Sequence, residues 1–218
     1  MIGSKDGQIG DQSKQRLLRA ALYLFATDGI DAVSLRMINR EAGCKNNSAL
    51  HYHFGNKQAL VEALAEQIQN WFEAAREEAL CEVELADKAG TLTLDDLMHA
   101  FIAPYVKLLA EEEWGYDAVR FLARVEFEGD PASHDILNRF AGKAMERFKN
   151  LLINCQPATP RKLLFQRFNF CISSMILGLA NHRSLQNAYM GDMSLPLDQL
   201  AAMYVDVCAA GVAAPIRK

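Results

Sequence analysis

The amino-acid sequence predicts an all-α protein, with an N-terminal three-helix head that one long helix joins to a larger C-terminal helical body. Half of the 218 residues are hydrophobic, and only 6 are Pro and 13 Gly, so long segments contain no strong helix breaker. Apolar residues recur every three or four positions along most of the chain, which is the repeat of an amphipathic helix. Charge is divided unevenly. Residues 1–60 contain eight Lys and Arg but five Asp and Glu, a net +3, whereas the whole chain carries −4. A basic head on an acidic body is therefore expected.

Composition also limits the class of protein. The polar segment 1–12 lacks the apolar core of a signal peptide, so we expect it to be a flexible arm. No apolar run is long enough to span a bilayer, and we expect a cytoplasmic protein without membrane contact. The cysteines are odd in number and widely spaced, which fits neither a disulfide framework nor a zinc site. They are Cys44, Cys81, Cys155, Cys171 and Cys208. We expect mostly buried thiols, with Cys44 partly exposed, and neither a metal nor a cofactor.

The first helix of the head is predicted from about Ser13 to Thr27. Leu18, Leu22 and Phe25 belong to its inner face, because they recur at helical spacing. The basic residues near its start lie on or near the outer face, and Asp28-Gly29 ends the helix.

Two short helices joined by a tight turn are predicted between residues 34 and 57. Ser34 is a good N-cap for the first, since its hydroxyl can accept from an open N–H group of the first turn. Gly43 ends that helix, because a residue without Cβ adopts the left-handed conformation readily. The second helix is expected from near Asn46 to Phe54, with Gly55 ending it and Asn56 capping the next helix.

The second short helix has a polar face with no acidic residue. That face carries Lys45, Asn47, Ser48, His51 and Tyr52. Two short helices, a Gly-containing turn and such a face are typical of a helix-turn-helix. A helix fits the major groove, where these side chains can reach base edges or phosphates. On the pattern alone, an ordinary pair of packed surface helices remains an alternative.

The same residues resemble the DNA-binding signature of the TetR family, the tetracycline-repressor-like bacterial regulators. The matching positions are Ala42, Gly43, Lys45, Asn46, Ser48, Ala49, Leu50, His51, Tyr52, His53, Phe54, Gly55, Lys57 and Leu60. The resemblance covers about the first quarter of the chain. It is to the subclass with the K-N-x-S-A-L-H-Y-H-F recognition helix, whose turn is one residue longer than in many members.

The resemblance implies a DNA-binding domain over residues 13–60 and a ligand-binding and dimerisation domain over residues 61–218. It also implies contacts with double-stranded DNA. Ser34 and Arg36 are expected at the backbone or groove edge, and Tyr52 and Lys57 at phosphates. The residues expected to read bases are Lys45, Asn46, Asn47, Ser48 and His51. A cation such as Lys57 in the first turn of a helix opposes the helix dipole, so its position needs another reason.

The body is predicted to consist of helices separated by short breaks. A long helix from about Asn56 to Asp87 joins it to the head, so that a tilt at its far end would move the head. Further helices are expected at residues 94–112, 117–128, 131–155, 161–187 and 197–212. The breaks fall at Gly and Pro positions, such as the Gly129-Asp130-Pro131 run.

The last two helices of the body carry many small residues, which let helices approach closely. These are Ser173, Ser174, Gly178 and Ala180 in one, and Ala201, Ala202, Ala209 and Ala210 in the other. We expect a homodimer through these helices, and the resemblance implies the same, as a four-helix bundle. A two-fold dimer would place two recognition helices one duplex turn, about 34–36 Å, apart on a palindromic operator. Packing of the small residues within one chain is the alternative.

Aromatic residues are frequent in the body, and the resemblance implies a ligand cavity among its helices. The candidate lining residues are Phe72, Phe101, Tyr105, Phe121, Phe168 and Asn169. Aromatic residues at helical spacing also form ordinary cores, so this assignment rests on the resemblance. The effector would be a hydrophobic or aromatic small molecule.

No catalytic signature is visible in the sequence, since it lacks a G-x-S-x-G elbow, a phosphate-binding Gly loop and a metal-spaced His/Cys/Glu set. An enzyme is therefore not expected. The sequence predicts a ligand-responsive transcriptional repressor that binds a palindromic operator as a dimer. The alternative is a dimeric small-molecule-binding protein without operator binding.

Overall fold

A computed structural model of the chain describes residues 5–44, 48–128 and 131–216, and within these ranges it contains helices and no strand. The helices are α1 (Lys5–Asp28), α2 (Leu35–Glu41), α3 (Ser48–Phe54), α4 (Lys57–Ala89), α5 (Leu94–Glu111), α6 (Gly115–Glu128), α7 (Pro131–Cys155), α8 (Arg161–Asn181) and α9 (Leu197–Ala213). A 3₁₀ helix, His182–Asn187, follows α8. The predicted all-α fold is confirmed.

The chain forms two compact units. The first unit comprises residues 1–68 and 120–140, and the second comprises residues 69–119 and 141–218. Helices α4, α6 and α7 therefore each contribute residues to both units. The first unit is larger than the predicted DNA-binding domain, residues 13–60, because it also includes residues 120–140. The domain boundary at residue 60 stays a prediction.

The first unit is built around the inner face of α1. Leu17, Ala21 and Phe25 are fully buried there, and the ring of Phe25 stacks against Phe121 of α6 with centroids 6.3 Å apart. The start of α1 differs from the prediction, because the helix begins at Lys5 and not near Ser13. Residues 5–12 therefore continue the helix instead of preceding it. They contain no proline, so nothing in the covalent backbone stops the helix from extending.

The predicted ends of the short helices are confirmed by their hydrogen bonds. The Met37 N–H donates to Ser34 Oγ at 3.3 Å, which makes Ser34 the N-cap of α2. The Ala59 N–H donates to Asn56 Oδ1 at 2.8 Å at the start of α4. Gly43 and Gly55 have φ of 65° and 75°, the left-handed conformation in which a side chain is strained. Local capping chemistry thus sets these boundaries.

The second unit is held by α4, α5, α8 and α9, with α9 packed against both α5 and α8. Thr93 caps α5 reciprocally with Asp96: the Asp96 N–H donates to the Thr93 hydroxyl, and the Thr93 N–H donates to the Asp96 carboxylate. Arg147 of α7 joins two positions of α4, with Nε 2.7 Å from Glu84 and Nη1 2.5 Å from Glu77. These polar links lie at the surface, while the core consists mainly of apolar side chains.

Helices α8 and α9 approach each other closely and leave an apolar outer face exposed. Phe170 is 72% exposed and Val207 60% exposed, and Leu177 of α8 and Met203 of α9 are also exposed. The segment Arg161–Asn187 is long and apolar enough, by length and composition alone, to cross a membrane, and 28% of its most apolar 18-residue window is buried. The expectation that no segment reaches this length was therefore wrong. Small and polar residues interrupt the large apolar side chains of this segment, so it contains no long unbroken apolar run.

Candidate functional site

The helix-turn-helix is positioned by a small apolar core. Ile38 of α2 and Leu50 of α3 are fully buried, and α1 packs against both helices. Three packed helices with one buried anchor on each short helix hold α3 in a fixed orientation. The opposite face of α3 is then free to meet a partner.

The exposed face of α3 presents His51 and Tyr52. Tyr52 is 86% exposed, and its ring meets the His53 ring edge-on at 5.1 Å. The Nδ1 atom of His51 lies 2.8 Å from the carbonyl oxygen of Gly55. Because a carbonyl only accepts, Nδ1 must donate here, and in the neutral tautomer that does so Nε2 is the acceptor. An acceptor at this position suits the amino group of adenine or cytosine.

Several predicted base-reading residues lie outside the described part of the chain. Lys45, Asn46 and Asn47 fall in the segment that precedes α3, and Ser48 is described only as the first residue of that helix. Their predicted contacts with DNA stay predictions.

A basic hollow of about 410 Å³ lies beside α2, lined by Arg36, Met37, Arg40 and Cys44. Arg36 and Arg40 are both exposed, and their spacing of four residues places them on one side of the helix. Arg36 was predicted to contact DNA, and Arg40 was not, although the four-residue spacing that places them together is visible in the sequence. Ser34 precedes the same helix, and its hydroxyl accepts from Met37, so its own proton is free to donate. Cys44 is partly exposed, as expected, but of the five thiols only Cys171 and Cys208 are buried, so the expectation of mostly buried thiols was wrong.

Lys57 has a structural role that the sequence did not reveal. Its ammonium donates to three backbone carbonyls of the α1–α2 loop, those of Ile30 at 2.9 Å, Val33 at 3.3 Å and Asp31 at 3.4 Å. These bonds explain why a cation lies in the first turn of α4, where it opposes the helix dipole. The lysine fixes the loop that leads into α2, and this role does not require DNA. The predicted phosphate contact of Lys57 stays a prediction, and it would compete with these three bonds.

Four of the predicted ligand-site residues come together in the second unit as an aromatic cluster, here defined as Phe72, Phe101, Tyr105, Phe148 and Phe168. Ring centroids are 4.7 Å apart for Phe72–Tyr105, 5.3 Å for Phe101–Phe168 and 5.1 Å for Phe101–Phe148. All five side chains are buried. Phe148 was not among the predicted ligand-site residues, although its spacing places it on an apolar helix face.

The other two predicted ligand-site residues lie elsewhere. Phe121 packs in the first unit, against Phe25. Asn169 is exposed on α8, because one residue along a helix rotates the side chain by about 100° from the inward-facing Phe168. Helical periodicity assigns a residue to an apolar face but does not identify the neighbour that the face meets.

Arg76 of α4 is the polar residue of this region that the sequence analysis missed. It is only 7% exposed. Its guanidinium carbon lies 4.6 Å from the centroid of the Phe72 ring and 5.8 Å from that of Tyr105. Nη2 donates to the Tyr105 hydroxyl at 3.2 Å. A signal existed in the sequence, since Arg76 interrupts the apolar stripe that contains Ile68, Phe72 and Leu80.

The second unit also contains two open hollows. One, of about 550 Å³, is lined by residues of α4 and α5, among them several alanines and the polar residues Glu78, Glu82, Asp96, His99 and Lys107. The other, of about 390 Å³, lies along α8 and α9 and is mainly apolar, with Phe170, Tyr204 and Val207 among its lining residues. In the described ranges, no three His, Cys, Asp or Glu side chains are grouped so that they could hold a metal ion.

Family models match both ends of the chain. Residues 17–64 match the model described as bacterial regulatory proteins, tetR family, and residues 99–211 match the model described as the tetracyclin repressor-like, C-terminal domain. The second match alone covers more than half of the chain. A comparison with curated protein sequences gave no match.

Solved structures share the fold at low sequence identity. PfmR, a TetR-family regulator of Thermus thermophilus, is 20% identical, with a TM-score of 0.60, over 90% of this chain and 98% of its own. SmeT, the repressor of the SmeDEF multidrug efflux pump of Stenotrophomonas maltophilia, is 19% identical, with a TM-score of 0.59, over 90% and 88%. A protein of Saccharomonospora viridis described as a transcriptional regulator, in complex with choline, is 19% identical, with a TM-score of 0.57, over 90% and 95%. At identities this low, the structural similarity supports the fold alone.

Proposed function

We propose, on the premise that this chain belongs to the TetR family of bacterial regulatory proteins, that it represses transcription by binding a palindromic operator as a homodimer. Members of this family are DNA-binding regulators and not enzymes. The observation that supports the proposal best is the exposed, acid-free face of α3, held by buried Ile38 and Leu50.

The proposed DNA contacts divide by function. Tyr52, Ser34 and the Arg36–Arg40 pair would meet phosphates, because a hydroxyl and two guanidinium groups donate there without reading sequence. His51 would read a base through Nε2, since its Nδ1 is used by Gly55. Residues 45–48 are proposed to supply the remaining base contacts.

The proposed dimer uses the exposed apolar face of α8 and α9. Phe170, Leu177, Met203 and Val207 all expose apolar surface there, and a patch of this kind on a globular chain marks an interaction site. Some of the small residues pack within one chain, since Ala209 is buried. The outer residues are therefore the proposed contacts between protomers. Such a regulator would act in the cytoplasm.

The effector is proposed to bind in the second unit and to favour a state with lower operator affinity. It can do so only if its own affinity differs between the two states. Choline, present in the S. viridis structure, is a cation. The aromatic cluster of this chain already holds the guanidinium of Arg76 over Phe72, so we propose that a quaternary ammonium compound is not its effector.

The experiment that tests the proposal is fluorescence anisotropy on DNA from upstream of the protein's own gene, compared with scrambled DNA at several salt concentrations. We expect sequence-selective binding of two protomers per site, with an affinity that falls as salt rises. Binding without selectivity would contradict operator recognition at this site. No binding even at low salt would favour the alternative, a dimeric small-molecule-binding protein.

A further inference from the structure

Arg76 is a buried cation to which the described part of the chain supplies no carboxylate. It is 7% exposed, and its partners are the Tyr105 hydroxyl and the rings of Phe72 and Tyr105. Within the described chain no ion pair joins it to an Asp or Glu. The adjacent Glu77 is engaged by Arg147, as is Glu84. Arg147 thus takes two carboxylates at the surface, while the more deeply buried Arg76 has none.

This arrangement is unusual, because burial of a charge without a counter-charge opposes folding. The ring contacts and one hydrogen bond compensate for only part of the lost hydration of a guanidinium, which has five N–H donors. Nε and Nη1 have no acceptor among the described residues. Neither is among the described polar atoms that are both fully buried and without a partner, so both atoms keep some solvent-accessible surface.

We propose that Arg76 is the anion-binding group of the effector site, and that the effector is an apolar or aromatic monocarboxylate. Its carboxylate would pair with the free edge of the guanidinium, and its hydrocarbon part would lie against the aromatic cluster. Arginine suits this role because its planar fork matches a carboxylate with two parallel hydrogen bonds. The proposal rests on the proposed function, since it names the ligand class of that regulator.

Charge balance favours a carboxylate over a phosphate ester. One guanidinium and one carboxylate neutralise each other. A phosphate ester carries close to two negative charges at neutral pH, and it would leave uncompensated negative charge among the rings. The ordinary interpretation, in which Arg76 only braces Tyr105, makes a different prediction about stability, and the two can be separated.

Binding is tested on the full chain with matched probes, decanoate against decanamide and 4-phenylbutanoate against 4-phenylbutanamide, by calorimetric titration without DNA. We expect each carboxylate to bind about tenfold or more tightly than its amide, a difference typical of a charge-assisted pair. In Arg76→Met the two should bind within about twofold of each other, and Arg76→Lys should restore part of the preference. Arg183→Met is the matched control, because Arg183 is also stacked on a ring, that of Tyr116, but is exposed.

Equal affinity for carboxylate and amide in the wild type would overturn the proposal, as would a preference that survives in Arg76→Met or the absence of binding by every carboxylate at about 1 mM. Thermal unfolding gives a second readout. We expect Arg76→Met to unfold at the same or a higher temperature, because an apolar residue replaces an unpaired buried charge. A clearly lower unfolding temperature would show a structural role and also overturn the proposal.

The binding test is separate from the test of the repressor. Carboxylate preference is measured without DNA, and operator selectivity is measured without effector. Selective operator binding with no carboxylate preference would overturn the effector class and leave the repressor. Carboxylate preference without operator binding would overturn the repressor and leave the effector class.

Discussion

Tyr52 and Lys57 lie five residues apart, both predicted to touch phosphates, yet the structure gives them opposite surroundings. Tyr52 is 86% exposed with no hydrogen bond from its hydroxyl among the described contacts, whereas the Lys57 ammonium has three carbonyl acceptors. A change at Tyr52 should therefore act on binding, and a change at Lys57 should act on folding.

Tyr52→Phe removes only a hydroxyl from an exposed ring. We expect operator and scrambled DNA to lose affinity equally, by about 1 kcal/mol, because a phosphate contact carries no sequence information. The unfolding midpoint in urea should not change. Anisotropy on both DNAs measures the first effect, and a loss confined to the operator would instead assign Tyr52 to base reading.

Lys57→Ala removes the tie between α4 and the α1–α2 loop. We expect the free energy of unfolding to fall by about 1–3 kcal/mol, since two part-buried carbonyls and one exposed carbonyl lose a charged donor. Urea denaturation measures this, and unchanged stability would contradict the tie. A fall of about one unit in the salt slope of DNA binding would show that Lys57 also contacts a phosphate.

Single residues also mark the limit of what the sequence can predict. Phe72, Phe101, Tyr105 and Phe168 were predicted to share a site, and they do lie together. Phe121 was predicted to lie with them but packs against Phe25 instead. Periodicity shows that its helix face is apolar but not which helix covers that face. Arg76 was missed because an arginine is expected to be exposed.

At the scale of the element, most helix boundaries other than the start of α1 and the end of α8 were predicted well because their signals are local. Observed ends at Leu94, Pro131, Cys155 and Leu197 match the prediction, and each lies at a cap or beside a Pro-containing break. The 3₁₀ helix after Asn181 was not predicted. The helix predicted to reach residue 187 ends instead at Asn181, and the next residue, His182, is buried. Such tertiary burial leaves no short-range pattern in the sequence.

Gly178 permits the close approach of α8 and α9. A Cβ built there would overlap Tyr204 Oη and lie 3.0 Å from Cζ. We expect Gly178→Ala to destabilise the protein by about 1–3 kcal/mol through overpacking. Adding Tyr204→Phe should recover most of this loss, because it removes the nearest atom and alanine favours the helix. Thermal unfolding of the two single variants and the double variant measures the coupling. Purely additive effects would contradict the contact.

The ion pairs between α4 and α7 predict a pH dependence. Hydrogen bonds from Arg147 lower the pKa of Glu84, and likewise that of Glu77, below the ordinary value of 4.5. A lowered pKa in the folded state contributes stability above the unfolded-state value, and this contribution is lost as pH falls through the folded-state value. The stability advantage of wild type over Arg147→Met should therefore be full at pH 7 and shrink below about pH 4.5. Urea titrations at pH 7, 5 and 4 measure it, with Lys149→Met as the control, since the ion pair of Lys149 with Glu146 lies within α7 and does not reach α4. A constant difference across this range would contradict the assignment.

At the scale of the whole molecule, composition and exposed surface point to function more directly than net charge does. The total of −4 argues against a nucleic-acid partner, whereas the basic excess of the first 60 residues argues for one. The apolar length of Arg161–Asn187 resembles a membrane span by composition. In a dimeric regulator the same exposed surface would instead be covered by a second copy of the chain.

Val207→Asp tests that assembly, because Val207 is 60% exposed on the α9 face. A carboxylate buried between protomers without a partner costs several kcal/mol, so we expect about a hundredfold or greater weakening of the dimer. Operator affinity should fall with it, and the salt slope should approach half, because a monomer contacts one half-site. Sedimentation velocity and anisotropy measure the two effects. Leu85→Asp is the control, since Leu85 is 66% exposed on α4 and should leave the dimer intact. If Val207→Asp remains dimeric while Leu85→Asp dissociates, the dimer face lies along α4 and not on α8 and α9.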